Sequence, residues 1–389
     1  MASNVPLRSE LSYRADSVNG AAAGTSVSTN NDMGKLWLPI WSGEVLHAYD
    51  EYKSFEPMVT SKTIESGRTI EFPITGVVSL QPAWSAGQYL SGGDNSATDT
   101  FVVELDKRPM AAHFELDNID LMITQWEYRQ ELARQAGQTL ANARDEQIAT
   151  FLVAAGLVAP LAGDPRVAAS KLSYPDPVGI GATDDAAAAL AVLEAIEEYN
   201  VELQENNIPE GLAHCAVTPK LFQQIRRLGV AEQQSEAVFS QPMFGGVAQA
   251  GGLGAQLTDG KKAMSDDLVY MGVRICKSNH IPTADGSVIG EDRYTVNGST
   301  AGVRGIIWMP EAVASVRKTG LVVDTEDDIR RNTTFTVASM MSGTGIVKPE
   351  LAMVLTSDTA GSRPARNTVL TAYEDASGQF GYVTSNDGP

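Results

Sequence analysis

Residues 41–108 read WSGEVLHAYDEYKSFEPMVTSKTIESGRTIEFPITGVVSLQPAWSAGQYLSGGDNSATDTFVVELDKR, and this stretch decides the fold. It opens on a short amphipathic helix. In LWLPIWSGEVLHAYDEY, Trp41, Val45, Leu46 and Tyr49 recur at helical spacing, with Ser42 placed to cap the first turn. From residue 62 the period becomes two. In RTIEFPI, Ile70, Phe72 and Ile74 fall on one face and Thr69 and Glu71 on the other, which is the pattern of a half-buried strand. Pro73 has no N–H for a ladder, so that strand belongs at an edge. The return strand is TFVVELDKR, near Thr100 to Arg108. Between the strands, Pro82, Gly87, Gly92 and Gly93 mark turns and loops. A lone pair of strands is marginal in water, so an excursion of this length needs a partner surface.

Upstream, residues 1–35 are rich in Ser, Asn, Ala and Gly and predict an extended arm that buries little. Downstream, Thr124 to Gly156 predicts one long helix. Leu132, Ala136, Leu140, Ala143, Ile148 and Leu152 recur every three to five residues, and Gly156 is placed as a stop. Its length would be on the order of 45–50 Å, long for a globular protein. A rod of that size suits a flat, elongated subunit. Asp164 to Gly181 reads as a Pro/Gly-rich linker, after which Thr183 or Asp184 caps a second helix, DAAAALAVLEAIEEYNVELQENN. HCAVTP predicts a buried strand and PKLFQQIRRL a helix with Pro219 in its first turn. Helix, strand, helix in that order suggests a compact α/β domain. Residues 229–262 are Gly-rich and irregular, VYMGVRICKSN is a strand, and strand-rich sequence resumes at Val303. The last 30 or so residues are polar and predict a loosely attached tail or a small surface element.

The totals exclude several classes. The chain has 389 residues, 43% of them hydrophobic, enough for a sizeable core. No run approaches the roughly 18 apolar residues that span a bilayer, and the start, MASNVPLRSELSYRADS, lacks the apolar core of a signal peptide. A net charge of −19 argues against a protein that grips nucleic acid. It does not exclude a protein that merely encloses nucleic acid, since an acidic inner wall would repel DNA and leave it free to move. The acidic run from Asp184 to Glu210 holds no Lys or Arg and reads as a solvated helix face. Cys215 and Cys276 read as reduced, buried residues, too few for a disulfide framework or a zinc site.

Catalytic signals are weak. His47, His113, His214 and His280 are scattered, with no ligand spacing around them. There is no GxSxG. The run GGVAQAGGLGAQL lacks the GK[ST] ending of a phosphate loop, and Gly260-Lys261-Lys262 does not supply it. The carboxylate pairs Asp266-Asp267 and Asp327-Asp328 show nothing that would push their pKa values apart. No catalytic residue, cofactor site or metal site is expected.

Five segments, in order across residues 37–355, resemble the major capsid protein of short-tailed (podovirus, Autographivirus-type) double-stranded DNA bacteriophages. WSGEVLHAYD resembles that family's N-terminal helix. TSKTIESGRTIEFPITGVVSLQPAWSAGQYL resembles the strand that climbs its extended loop, through Ser66, Gly67, Phe72 and Pro73. DDLVYMGVRICKSNHIP resembles its strand-turn segment, through Gly272, Val273, Ile275, Ser278, Asn279, Ile281 and Pro282. IIWMPEAVASVRK and SGTGIVKPELAMVL resemble its final strands.

The resemblance implies an α+β, Hong Kong 97-type capsid fold. Its parts would be an N-terminal arm at 1–60, an extended loop at 61–110, and a peripheral domain with the spine helix at 111–183 and 308–345. An axial domain would take 184–307 and 346–356, and a tail 357–389. It implies a homo-oligomer of hexamers and pentamers closing an icosahedral shell around packaged DNA. The expected partners are a separate scaffolding protein, since the arm is too short to be a fused one, and a portal at one vertex. The expected place is the virion, assembled in the host cytoplasm, with no membrane. Candidate intersubunit residues are Trp37, Trp41, Phe72, Trp84 and Tyr89, as aromatic anchors, with Arg68, Lys107 and Arg108 as charged partners that set register. Gly137 is the candidate bend in the spine helix. The competing readings are an encapsulin-like compartment, a cytoplasmic α/β enzyme, and a tail or connector ring.

Overall fold

The computed structural model describes residues 44–75, 86–87, 98–117, 126–159, 173–208, 213–234, 268–282, 302–328, 331–364, 366, 370–374 and 380–384. Helices α1 (44–52), α2 (Trp126–Leu157), α3 (Ala186–Glu205) and α4 (Pro219–Gln234) alternate with strands that form three sheets. The strands are β1 (Thr60–Thr63), β2 (Thr69–Thr75), β3 (Thr98–Glu104), β4 (Met110–Asp117), β5 (Val178–Gly179), β6 (Ala213–Val217) and β7 (Leu268–Tyr270). They continue with β8 (Val273–Lys277), β9 (Val303–Trp308), β10 (Val313–Asp328), β11 (Thr333–Ile346), β12 (Ala352–Thr356), β13 (Leu370–Glu374) and β14 (Phe380–Thr384). The sheet orders are β1-β10-β11-β4, β5-β12-β9-β6-β8-β7 and β13-β14-β3-β2.

The chain divides into two compact units. The first takes residues up to Ser54, Asp106–Asp145 and Arg317–Ser342. Its core joins Val45 and Tyr49 of α1, Ala133, Leu140 and Ala141 of α2, Val323 of β10, and Ala338 and Met340 of β11. β4 pairs antiparallel with β11, from Thr333 opposite Asp117 to Met340 opposite Met110. Buried Asp145 closes this unit's share of α2, accepting hydrogen bonds from the amide and hydroxyl of Ser54, both at 2.7 Å.

The second unit takes Phe55–Leu105, Glu146–Val316 and residues from Gly343 on. Its six-stranded sheet is mixed: β6 runs parallel to β8 and antiparallel to β9, and β12 runs antiparallel to β9 and parallel to β5. β6 is buried at every position, as a central strand covered on both faces must be. Phe222 and Ile225 of α4 and Val192, Ile196 and Tyr199 of α3 enter the same core. Trp308 is fully buried, its indole N–H donating to the Met58 carbonyl at 3.1 Å and its ring 5.6 Å from Phe55 and 5.7 Å from His214.

Several sequence expectations change in detail. The cap of α3 is Asp185, whose carboxylate accepts from the Ala188 amide at 2.9 Å, while Thr183 donates to Asp185. VYMGVRICKSN is two strands, because Met271 and Gly272 take φ of +46° and +83° and reverse the chain between β7 and β8. α4 continues to Gln234, into the stretch expected to be irregular. Inside the expected linker, β5 exists because β12 and residues 358–362 supply its hydrogen bonds. The polar C-terminus holds a hairpin, β13–β14. Ser42, the arm at 1–35 and most of the Gly-rich 229–262 run lie outside the described residues.

Candidate intersubunit surface

The 62–108 excursion is built as its period-two pattern demands. Ser66-Gly67 turns the chain, with Gly67 at φ +86°. β2 and β3 then pair antiparallel from Thr69 opposite Glu104 to Thr75 opposite Thr98. Phe72, Phe101, Val103 and Leu105 are buried, while Glu71, Pro73 and Glu104 face out. β2 is an edge strand, which is where Pro73 can sit without breaking a ladder. On the other side of β3 comes β14, parallel, with Phe380 opposite Phe101.

The root of the excursion is fixed by two absent side chains. A Cβ at Gly343 would lie 2.2 Å from the Glu104 carbonyl oxygen, and one at Gly345 would lie 2.7 Å from the Val103 side chain. Backbone therefore meets backbone where β11 crosses the end of β3. The Leu105 amide donates to the Arg68 carbonyl at 2.9 Å, and the Arg68 guanidinium returns a long bond of 3.5 Å to the Leu105 carbonyl.

The candidate residues separate into three groups. Trp37, Trp41, Trp84 and Tyr89 lie outside the described residues. Arg68, Lys107 and Arg108 are exposed, the last two in the turn between β3 and β4. Phe72 is 7% exposed within its own chain, with the Lys62 ammonium 4.2 Å from its ring centroid, so most of its area is already used inside the subunit. Gly137 lies within an unbroken helix. A Cβ there would stand 2.6 Å from the Val45 carbonyl oxygen, 2.8 Å from the Ala48 Cβ and 3.0 Å from the Tyr49 amide nitrogen. The glycine lets α1 lie directly on α2, and a bend at Gly137 would have to carry α1 with it.

Sequence reasoning did not single out Gly343, Gly345 or the hairpin that extends the loop sheet. The two glycines carry a faint signal, since SGTGI interrupts a strand pattern and a strand glycine often marks close backbone approach.

The four histidines are dispersed among the described residues. His47 is exposed beside Glu51, His113 packs at a tilt against Phe335 with ring centroids 5.7 Å apart, His214 lies in the core, and His280 is 3.9 Å from Glu146. Among the described residues no group of three or more His, Cys, Asp or Glu could hold a metal ion. Cys215 and Cys276 are both free, and burial pushes the Cys215 thiol well up. The Glu202 carboxyl is pushed up to about 7, chiefly by burial and then by Asp176, against the pull of Arg366. Glu194, Glu197 and Glu205 sit on the exposed face of α3. No described helix is long and apolar enough to cross a membrane. The Gly-rich run and Asp266-Asp267 lie outside the described residues.

A comparison with family models finds no match, and a comparison with curated proteins finds none either. Solved structures do match. The chain aligns with a chain of the capsid of the cyanophage P-SCSP1u over 78% of its own length and 88% of that chain, at a TM-score of 0.57 and 21% identity. It aligns with a chain of the mature capsid of bacteriophage PhiM1 over 78% of its length and 86% of that chain, at a TM-score of 0.58 and 15% identity. At such identities the likeness is one of fold. The chain has the α+β fold of phage capsid proteins.

Proposed function

We propose that this protein is a major capsid protein that assembles as hexamers and pentamers into an icosahedral shell around double-stranded DNA. The observation that carries the reading is the β2–β3 excursion, rooted on glycines at β11 and set in a chain with a phage capsid fold. In the Hong Kong 97-type scheme, β2–β3 belongs to the extended loop at 61–110 and α2 is the spine helix. Residues 1–60 are the arm. The peripheral domain takes 111–183 and 308–345, and the axial domain 184–307 and 346–356. Trp37, Trp41, Trp84, Tyr89, Arg68, Lys107 and Arg108 are the proposed contacts to neighbours, and bending of the spine near Gly137 is the proposed maturation step. A scaffolding protein and a portal are the proposed assembly partners, and a short-tailed phage virion is the proposed destination. The net charge of −19 supports a wall that does not hold the packaged DNA.

Negative-stain microscopy of the protein, expressed with and without its neighbouring scaffold gene, tests this. Closed polyhedra, or tubes of hexamers, are the expected result. A monodisperse monomer or small ring in both preparations would refute it. Deleting residues 76–98 should leave a soluble subunit that closes no shells, and normal particles from that deletion would remove the loop from the mechanism.

A further inference from the structure

The segment after β12 follows a definite path. The Ile180 amide donates to the Thr356 carbonyl at 3.0 Å, Gly181 to Asp358 at 2.7 Å, Gly179 to Ser362 at 2.8 Å, and Gly361 back to Gly179 at 2.9 Å. A Cβ at Gly179 would stand 2.3 Å from the Ser362 hydroxyl oxygen and 2.4 Å from the Thr359 carbonyl oxygen. The groove is therefore open only because residue 179 has no side chain. Arg363 then pairs with Glu198 and Glu202 on α3.

Arg366 follows, with all five of its N–H donors used. Nε donates to the Pro175 carbonyl at 2.9 Å, and Nη2 to Pro175 at 2.6 Å and Ala352 at 2.9 Å. Nη1 donates to Ala155 at 3.0 Å and Val158 at 3.1 Å. Ala155 and Val158 carry carbonyls at the C-terminal end of α2, the negative end of its dipole. One guanidinium thus ties together the spine helix, the 173–177 segment and β12, with its carbon 5.1 Å from the Tyr174 ring centroid. Burial lowers its pKa to about 10, so it stays charged at neutral pH. Leu370, where β13 begins, is four residues on, which limits its distance from Arg366 to on the order of 14 Å. The β13–β14 hairpin then pairs with β3 of the excursion.

We propose that residues 357–364, Arg366 and the strands β13 and β14 act as a strap that fixes the pose of the extended loop from within its own chain, with Arg366 as the pin. Arg366 is a positioning residue: it sets where the hairpin starts, and the hairpin holds β3. The coupling needs only the single chain. Its consequence for shell closure rests on the capsid reading.

Hydrogen exchange on the unassembled chain tests the strap separately from assembly. Arg366→Met removes the pin and keeps the hairpin, whereas a stop after Asn367 keeps the pin and removes the hairpin. Both should speed exchange of the β3 amides at least tenfold, and Arg366→Met should do the same across 370–384. β6 and β9 should keep wild-type protection in both variants. Unchanged β3 exchange in either variant would overturn the proposal. So would equal loosening of β6 and β9, or failure of Arg366→Met to fold, since Arg366 would then be part of the core and no pin.

Discussion

Gly137→Ala puts two explanations of one residue against each other. If the glycine is there to let the helix bend, alanine should stabilise the isolated subunit, because Gly costs about 1 kcal/mol relative to Ala inside a helix. If it is there for close approach, alanine must force α1 away. The added Cβ meets the Val45 carbonyl oxygen at 2.6 Å and the Ala48 Cβ at 2.8 Å. Backbone and Cβ atoms cannot swing aside, so α1 has to retreat by roughly 0.5–1 Å, which forfeits a quarter to a half of each van der Waals contact along the seam. Val45, Ala48 and Tyr49 are all buried there. Overpacking of this kind costs about 1–3 kcal/mol. After the helix-propensity gain, the net is about 0–2 kcal/mol of destabilisation, a fall in Tm of up to a few degrees. Thermal unfolding of the unassembled subunit, followed by circular dichroism, measures it. A Tm above wild type, as helix propensity alone would give, would refute the close-approach argument and return Gly137 to the bend.

Two further outcomes follow from particular contacts. Gly343→Ala places a Cβ 2.2 Å from the Glu104 carbonyl oxygen. It should cost about 1–3 kcal/mol and displace the loop root, so chemical denaturation should show the loss and microscopy should show few closed shells; normal shells would count against the root. Glu202 has a carboxyl raised to about 7 from an ordinary 4.5. The folded state therefore holds a proton that the unfolded state has released, and stability present below about pH 4.5 is lost as pH rises to about 7. Glu202→Gln should match wild type near pH 4 and exceed it near pH 8, by less than about 3 kcal/mol, because Arg363 favours the ionised form. Equal Tm differences at both pH values would show that burial does not govern this carboxyl.

Local signals in this chain were legible where one physical effect dominated. The alternation of Ile70 and Phe72 with Thr69 and Glu71 marks β2, and Pro73 marks it as an edge, because neither depends on distant residues. The 32-residue α2 is written in its own periodicity. The misreadings occur where a distant partner decides. Gly156 looks like a helix stop, yet α2 continues through it, and its missing side chain accommodates Val354, whose Cγ2 would lie 2.4 Å from a Cβ. The carbonyls at that helix end are instead satisfied by Arg366, some 210 residues away. Asp185, and not Asp184, caps α3, because Asp184 is engaged by Arg304 of β9. The C-terminal hairpin carried its own signal, since LTAYE and FGYVT flank DASGQ, a connection rich in turn residues. Its polar composition suggests a tail until β3 supplies a partner.

That hairpin changes the energetic argument with which the excursion began. Two strands alone are marginal, and on that ground β2–β3 would need a neighbouring subunit simply to be ordered. The sheet observed is β13-β14-β3-β2, and three or more strands with an apolar face can hold themselves. The buried set of Phe72, Phe101, Val103 and Leu105 supplies that face without leaving the chain. At its root, then, the loop is already ordered before any partner arrives. Ordering entropy that would otherwise oppose association is met during folding, so contacts made farther along the loop contribute more of their interaction energy to binding. If the chain assembles as proposed, Arg68, Lys107 and Arg108 would meet a neighbour from this ordered root, and Trp84 and Tyr89 would meet it from the part of the loop that the 76–98 deletion removes.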